Sequence, residues 1–183
     1  MKTALSTAEY FSLAVRIAPQ DALPLGHRVR KLVHVTGQLQ GVIAMAFMRQ
    51  PFDPREMCML FGECAFVVAM IAHENGMDFP ELFVDPSVIV EVSEAVAIAA
   101  CLRNPVAVAL GVGTILGRVA ANADEPRVFQ QQLALFISCV SMLCNMNGIH
   151  FDMDCLPEHA AMMKARWPEV YADVKDTGVI LLQ

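Results

Sequence analysis

Charged side chains are scarce in this chain: Asp, Glu, Lys and Arg make up 17% of 183 residues, against 56% hydrophobic. Elements with so little polar cover need burial on more than one side, and the surplus apolar surface points to a partner chain. There is no run of Lys and Arg, and the formal net charge is −6. That excludes a nucleic-acid interface built on phosphate contacts. The six cysteines (58, 64, 101, 139, 144 and 155) show no Cys-x-x-Cys spacing and sit mostly in apolar helical runs. They read as small buried hydrophobes in a reducing compartment, not as disulfides or zinc ligands. No apolar leader follows Lys2, where Ser6, Thr7 and Glu9 stand instead, so no secretory signal is expected. The longest apolar stretch, 105–117, is shorter than the roughly 20 residues of a membrane span. A soluble cytoplasmic chain with no membrane contact is the expectation. Period-two alternation is also missing, which leaves no sheet to expect, and no Gly- or Ser-rich linker divides the chain.

What the sequence does contain is helix punctuation. Ser6 or Thr7 caps a first helix with Glu9 in its first turn, ending before Pro19. A second helix is expected over about 27–48. Arg28, Arg30 and Lys31 at its start oppose the helix dipole; they read as a solvated face, with an anionic partner as the alternative. Asp53-Pro54 opens a third helix that stops at Asn75-Gly76. A turn follows at 78–82, then helices from Asp85-Pro86 to about Leu102, from Asn104-Pro105 to about Asn122, and from Asp124-Glu125-Pro126 to Asn147-Gly148. Leu156-Pro157-Glu158 and Trp167-Pro168-Glu169 read as two further helix starts, and Val179 to Leu182 as a terminal strand or extended arm. The fold class expected is all-α, in a single compact domain over 1–183.

The helical unit is written twice. Gly37 and Gly41 recur as Gly113 and Gly117, and Asn75-Gly76 recurs as Asn147-Gly148. The offsets are 76 (113 − 37) and 72 (148 − 76), so a four-residue shorter connection reconciles the copies. Pro54-Arg55 pairs with Pro126-Arg127, Val68 with Val140, and Met70 with Met142. The repeats span approximately 27–83 and 104–156, and a repeat of this kind sets the fold. Glycines four apart lie on one helix face, so both pairs are expected to mark close helix crossings.

The segments His34 to Leu39, Leu60 to Glu63 and Ile71 to Leu82 together resemble MazG-like proteins, a group of all-α nucleoside triphosphate pyrophosphohydrolases. The resemblance covers about 27–83, and reaches 104–156 only through the internal repeat. It implies a helical bundle in which two MazG-like repeats pack as an intramolecular pseudo-dimer. The family pattern places paired acids, of the type E-x-G-E-L and then E-x-G-D, around magnesium ions that bridge phosphates. Here those positions read Val35, Gln38, Leu60 and Glu63, and in the second copy Gly111, Thr114, Gln132 and Leu135. Only Glu63 is an acid, and one carboxylate cannot hold a catalytic magnesium pair.

The implied function is a non-catalytic, pseudoenzyme-like protein that binds or sequesters a nucleotide or nucleotide-derived ligand. Its candidate ligand residues are His34, Gln38, Glu63, Thr114 and Gln132. The first alternative is a protein-interaction module, a regulator or inhibitor whose ancestral pocket is filled. Its partner would be another protein or a second copy of the chain; the Met cluster of Met45, Met48, Met57, Met59, Met70 and Met77 reads first as core, and in this alternative as a plastic partner-binding face. The second alternative is residual magnesium-dependent hydrolysis, with Glu63, Glu91 and Glu94 as weak metal candidates. No cofactor is expected otherwise. Among the histidines, at 27, 34, 73, 150 and 159, none forms H-x-x-x-H or H-E-x-x-H. His34 is the pocket candidate; the other four read as helix-terminal or surface residues.

Overall fold

A computed structural model describes residues 4–83 and 103–172. Its regular elements are all helical: α1 (Thr7–Ala14), α2 (Leu25–Phe47), α3 (Pro54–Glu74), α4 (Pro105–Ala121), α5 (Pro126–Met146) and α6 (Leu156–Arg166). Short 3₁₀ turns at Val15–Ile17 and Pro80–Leu82 and a π-helical turn at Phe151–Cys155 complete them. The helix expected from Asp85 and the terminal arm Val179 to Leu182 lie outside the described residues.

Four helices close a ring of contacts, α2 on α3, α3 on α5, α5 on α4, and α4 back on α2. A loop of only six residues (48–53) joins α2 to α3, and one of four (122–125) joins α4 to α5, so each pair packs as antiparallel neighbours. On the far side of α3, α1, α6 and the π-helical turn form a further layer. Between two layers, α3 is buried from Cys64 through Ala72 and α5 from Leu133 through Val140. Both are long and apolar enough, by length and composition, to cross a membrane, unlike the 105–117 stretch. Because 67% and 61% of those windows are inside the fold, a core role already accounts for their composition.

Local chemistry explains the helix ends. Ser6 and Glu9 form a reciprocal capping box on α1. The Asp53 side chain accepts from Arg55 N at 2.8 Å, and Asn104 from Ala107 N at 3.1 Å. Glu125 precedes Pro126 without a capping bond of its own side chain. The ends of α3 and α5 share one stereochemistry. Asn75 Nδ2 donates to Ile71 O and Asn147 Nδ2 to Leu143 O, both at 2.8 Å. Gly76 and Gly148 then take φ of 65° and 72°, the left-handed region that favours glycine. Met77 N and Ile149 N close back onto Ala72 O and Cys144 O.

Two expectations need correcting. Trp167-Pro168-Glu169 starts no helix but forms a turn, in which Val170 N bonds Trp167 O. Trp167, held before proline, sits at φ −130° and ψ 61°, outside the helical region as such residues prefer. Tyr171 OH then ties the chain to Leu13 O at 2.8 Å. The glycine pairs do not mark a helix crossing either. A Cβ at Gly37, Gly41 or Gly117 would meet nothing within 4 Å, and one at Gly113 would meet only the end of the Gln40 side chain. Gly37, Gly41 and Gly117 lie on exposed faces and Gly113 faces the Gln40 side chain of α2, whereas the close approach of backbones is at Gly62, against α6 and the π-helical turn.

Candidate functional site

Glu63 is the one acid among the eight positions singled out in the sequence, and a chain of polar contacts runs through it. It follows Gly62 on α3, where the absence of a side chain lets His159 approach until a Cβ would stand 2.5 Å from His159 Cβ. His159 is fully buried, and its Nε2 donates to Glu63 Oε2 at 2.9 Å. Lys31, one-third exposed on α2, pairs with the other oxygen, Oε1. Its ammonium also lies 5.3 Å from the Phe66 ring centroid, within cation–π range. On the other side of the imidazole, Nδ1 is 2.9 Å from the buried Tyr10 OH, which is itself 3.1 Å from Gly62 O. One carboxylate thus ties α1, α2, α3 and α6 together.

Burial alone would raise the Glu63 carboxyl, but the bonds and charge of His159, and then of Lys31, outweigh it and hold the group at about 2. Glu63 is therefore an anion that only accepts. The phenol has one proton to place. If Tyr10 donates to Gly62 O, both imidazole nitrogens carry protons and His159 is a cation; if it donates to Nδ1, His159 is neutral with its proton on Nε2. In both arrangements Nε2 donates to Glu63. Burial, followed by the Glu63 charge, pushes the Tyr10 hydroxyl well above its ordinary range, so it stays a hydroxyl.

A magnesium pair does not fit these residues. Both Glu63 oxygens are taken by cationic or N–H donors, and among the described residues no group of three or more His, Cys, Asp or Glu side chains is placed to hold a metal. Glu91 and Glu94 lie outside the described residues. The arrangement neutralises Glu63 and gives each of its oxygens a partner.

The other candidate residues do not converge on Glu63. His34 and Gln38 are exposed on α2; with Lys31 they form one edge at helical spacing. Thr114 is exposed on α4, its hydroxyl donating to Leu110 O at 3.3 Å. Gln132 is partly buried on α5, with Oε1 enclosed and lacking a hydrogen-bond partner among the described residues. Calling four histidines terminal or superficial is wrong for His159. Its signal was available, since Leu156, His159, Ala160 and Met163 all fall in one helical stripe and all are buried.

Arg28 also departs from the solvated face expected of it. It is 1% exposed, its Nε and a terminal nitrogen reach Glu74 Oε1 at 2.7 and 2.6 Å, and Nη1 reaches Asp21 Oδ2 at 3.0 Å. Its second terminal nitrogen also donates to the Asp21 carbonyl. This clamp fastens the start of α2 to the end of α3 and has the geometry of a structural pair. Compared with known proteins, the chain matches no family model, no curated protein and no solved structure.

Proposed function

We propose that the chain is a non-catalytic helical binding module, built as two degenerate MazG-like hairpins, that associates with a second copy of itself through the outer face of α2 and α4. The carrying observation is that this face is apolar, small and, among the described residues, exposed. Val33, Gly37, Gly41, Ala44 and Met48 recur every three or four residues along α2, opposite its buried stripe. Val33 is 51% exposed, Met48 60% and, on α4, Leu110 63%. Open space above Gly37, Gly41 and Gly117 lets another backbone approach closely. Such a patch is nearly neutral at its centre, so it complements a copy of itself without needing opposite charge, as a two-fold interface requires. The occupied oxygens of Glu63 support the non-catalytic part of the reading. The matching ends of α3 and α5, each an Asn followed by a left-handed glycine, support the repeat. The test is Gly41→Trp, followed by light scattering on a sizing column. Loss of a dimer with unchanged helicity and stability is expected; a chain that is monomeric before the change overturns the proposal.

A nucleotide-type ligand is the second reading. It is favoured by one observation, that Lys31, His34 and Gln38 share an exposed edge of α2 beside Glu63. A thermal-shift screen of nucleotides, with and without magnesium, decides it. At 100 times its dissociation constant a ligand adds about 2.7 kcal/mol, and no shift with any nucleotide removes this reading.

A further inference from the structure

Three thiols meet where α3, the end of α5 and the π-helical turn come together. Cys144 Sγ and Cys155 Sγ are 3.4 Å apart and both residues are fully buried. Cys58, on the second turn of α3, is only half-buried and hydrogen-bonds to Cys155 from the solvent side of the cluster. We propose that Cys58, Cys155 and Cys144 form a peroxide-responsive thiol relay whose end state is a Cys144–Cys155 disulfide.

The relay follows from access. A buried thiol in apolar surroundings is inert to oxidants, and the bond to Cys144, opposed in part by the bond from Cys58 and helped by burial, holds the Cys155 thiol well above the ordinary range. Oxidant therefore enters at Cys58. The Cys58 thiolate attacks the terminal oxygen of a hydroperoxide, giving a sulfenic acid and releasing an alcohol, or water from hydrogen peroxide. The neighbouring Cys155 sulfur displaces that oxygen as a second water, forming a Cys58–Cys155 disulfide. Cys144 then attacks Cys155 and returns Cys58 to a thiol. In sum, two thiols lose two electrons and two protons and one peroxide is reduced. The link joins the last turns of α5 to the turn that leads directly into α6, four residues before His159, so the oxidised form fixes the helix that carries the Glu63 contact.

The experiment is native oxidation of the full reduced chain by hydrogen peroxide, followed by alkylation and peptide mapping without reductant. The expected result is loss of two of the six thiols, a Cys144–Cys155 cross-link reversed by dithiothreitol, and earlier capture of Cys58 by dimedone. Cys58→Ser should slow cross-linking by about tenfold or more, because rate follows the accessible thiolate. Cys139→Ser, whose thiol is pushed up to about 12 by burial elsewhere on α5, should leave it unchanged. The proposal is overturned by a disulfide to Cys64, Cys101 or Cys139, by a Cys58–Cys155 disulfide that persists as the end state, by six surviving thiols, or by an undiminished rate in Cys58→Ser. Should that variant misfold, dimedone capture on the unmodified chain still decides: a cross-link that forms before any Cys58 adduct overturns the relay.

Discussion

Alanine at Gly62 would place its methyl carbon 2.5 Å from His159 Cβ, 2.9 Å from His159 Cγ and 3.2 Å from the Cys155 carbonyl oxygen. Carbon atoms in contact prefer about 3.5–4.0 Å, so α3 and α6 would have to part by about 1 Å. Intrinsic propensity works in the other direction, since alanine exceeds glycine by up to about 1 kcal/mol in a helix interior. Overpacking a tight contact costs about 1–3 kcal/mol. The same displacement strains the 2.9 Å bonds on both sides of the His159 ring, and a buried polar group left unpaired costs about 1–3 kcal/mol more. The net expectation is a loss of roughly 1–5 kcal/mol. Gly37→Ala, Gly41→Ala and Gly117→Ala meet no atom within 4 Å and should gain up to about 1 kcal/mol each in the dilute monomer. Gly113→Ala should be close to neutral, because the atom it meets at 2.6 Å is the end of the flexible Gln40 side chain. Urea unfolding followed by far-ultraviolet circular dichroism measures all five. A Gly62→Ala chain as stable as the parent would refute the close approach of α3 and α6.

Three further outcomes follow from the polar contacts. Glu63 is held below its ordinary carboxyl value, from 4.5 to about 2, so its contribution is fully present above about pH 4.5 and is lost as pH falls toward 2. That depression corresponds to at most about 3 kcal/mol, and Glu63→Gln should flatten the acid limb of stability against pH. An unchanged limb would show that the carboxylate is not stabilised by His159 and Lys31. Arg28→Met leaves Asp21 and Glu74 without their cation; because both are more than a quarter exposed, water softens the loss to about 2–3 kcal/mol, below the 3–5 of a sealed pair, as calorimetry can check. Tyr10→Phe removes the partner of His159 Nδ1 and should cost about 1–3 kcal/mol in denaturant titration, whereas a neutral result would place that ring nitrogen against another donor or water.

Helix punctuation was legible because it is local: Asp53-Pro54, Asn104-Pro105 and the two Asn-Gly stops carry their stereochemistry within a few residues. Pro168 misled, since a helix-start signal needs a following apolar stripe and this chain turns back at Tyr171 instead. The glycine pairs were read by spacing, which identifies a face but not what lies over it. Gly62, a single glycine with no partner four residues away, holds the tight contact because α6 returns from nearly 100 residues downstream, a relation that no local pattern encodes. Residue type alone puts Arg28 and His159 at the surface, although their spacing puts both in buried stripes, Arg28 with Leu32, Val35 and Leu39. Each is buried because a distant carboxylate meets it. The spread of His34, Gln38, Thr114 and Gln132 over separate surfaces likewise depended on how the hairpins pack.

Sedimentation velocity of the unmodified chain over a wide concentration range, beside Val33→Glu and Leu110→Glu, tests self-association through the α2 and α4 face most directly. The expected result is a reversible monomer–dimer equilibrium in the parent, and a monomer at every concentration in both variants, with folding intact because each side chain is already more than half exposed. A parent that sediments as a monomer throughout, or a dimer that neither glutamate weakens, would contradict it.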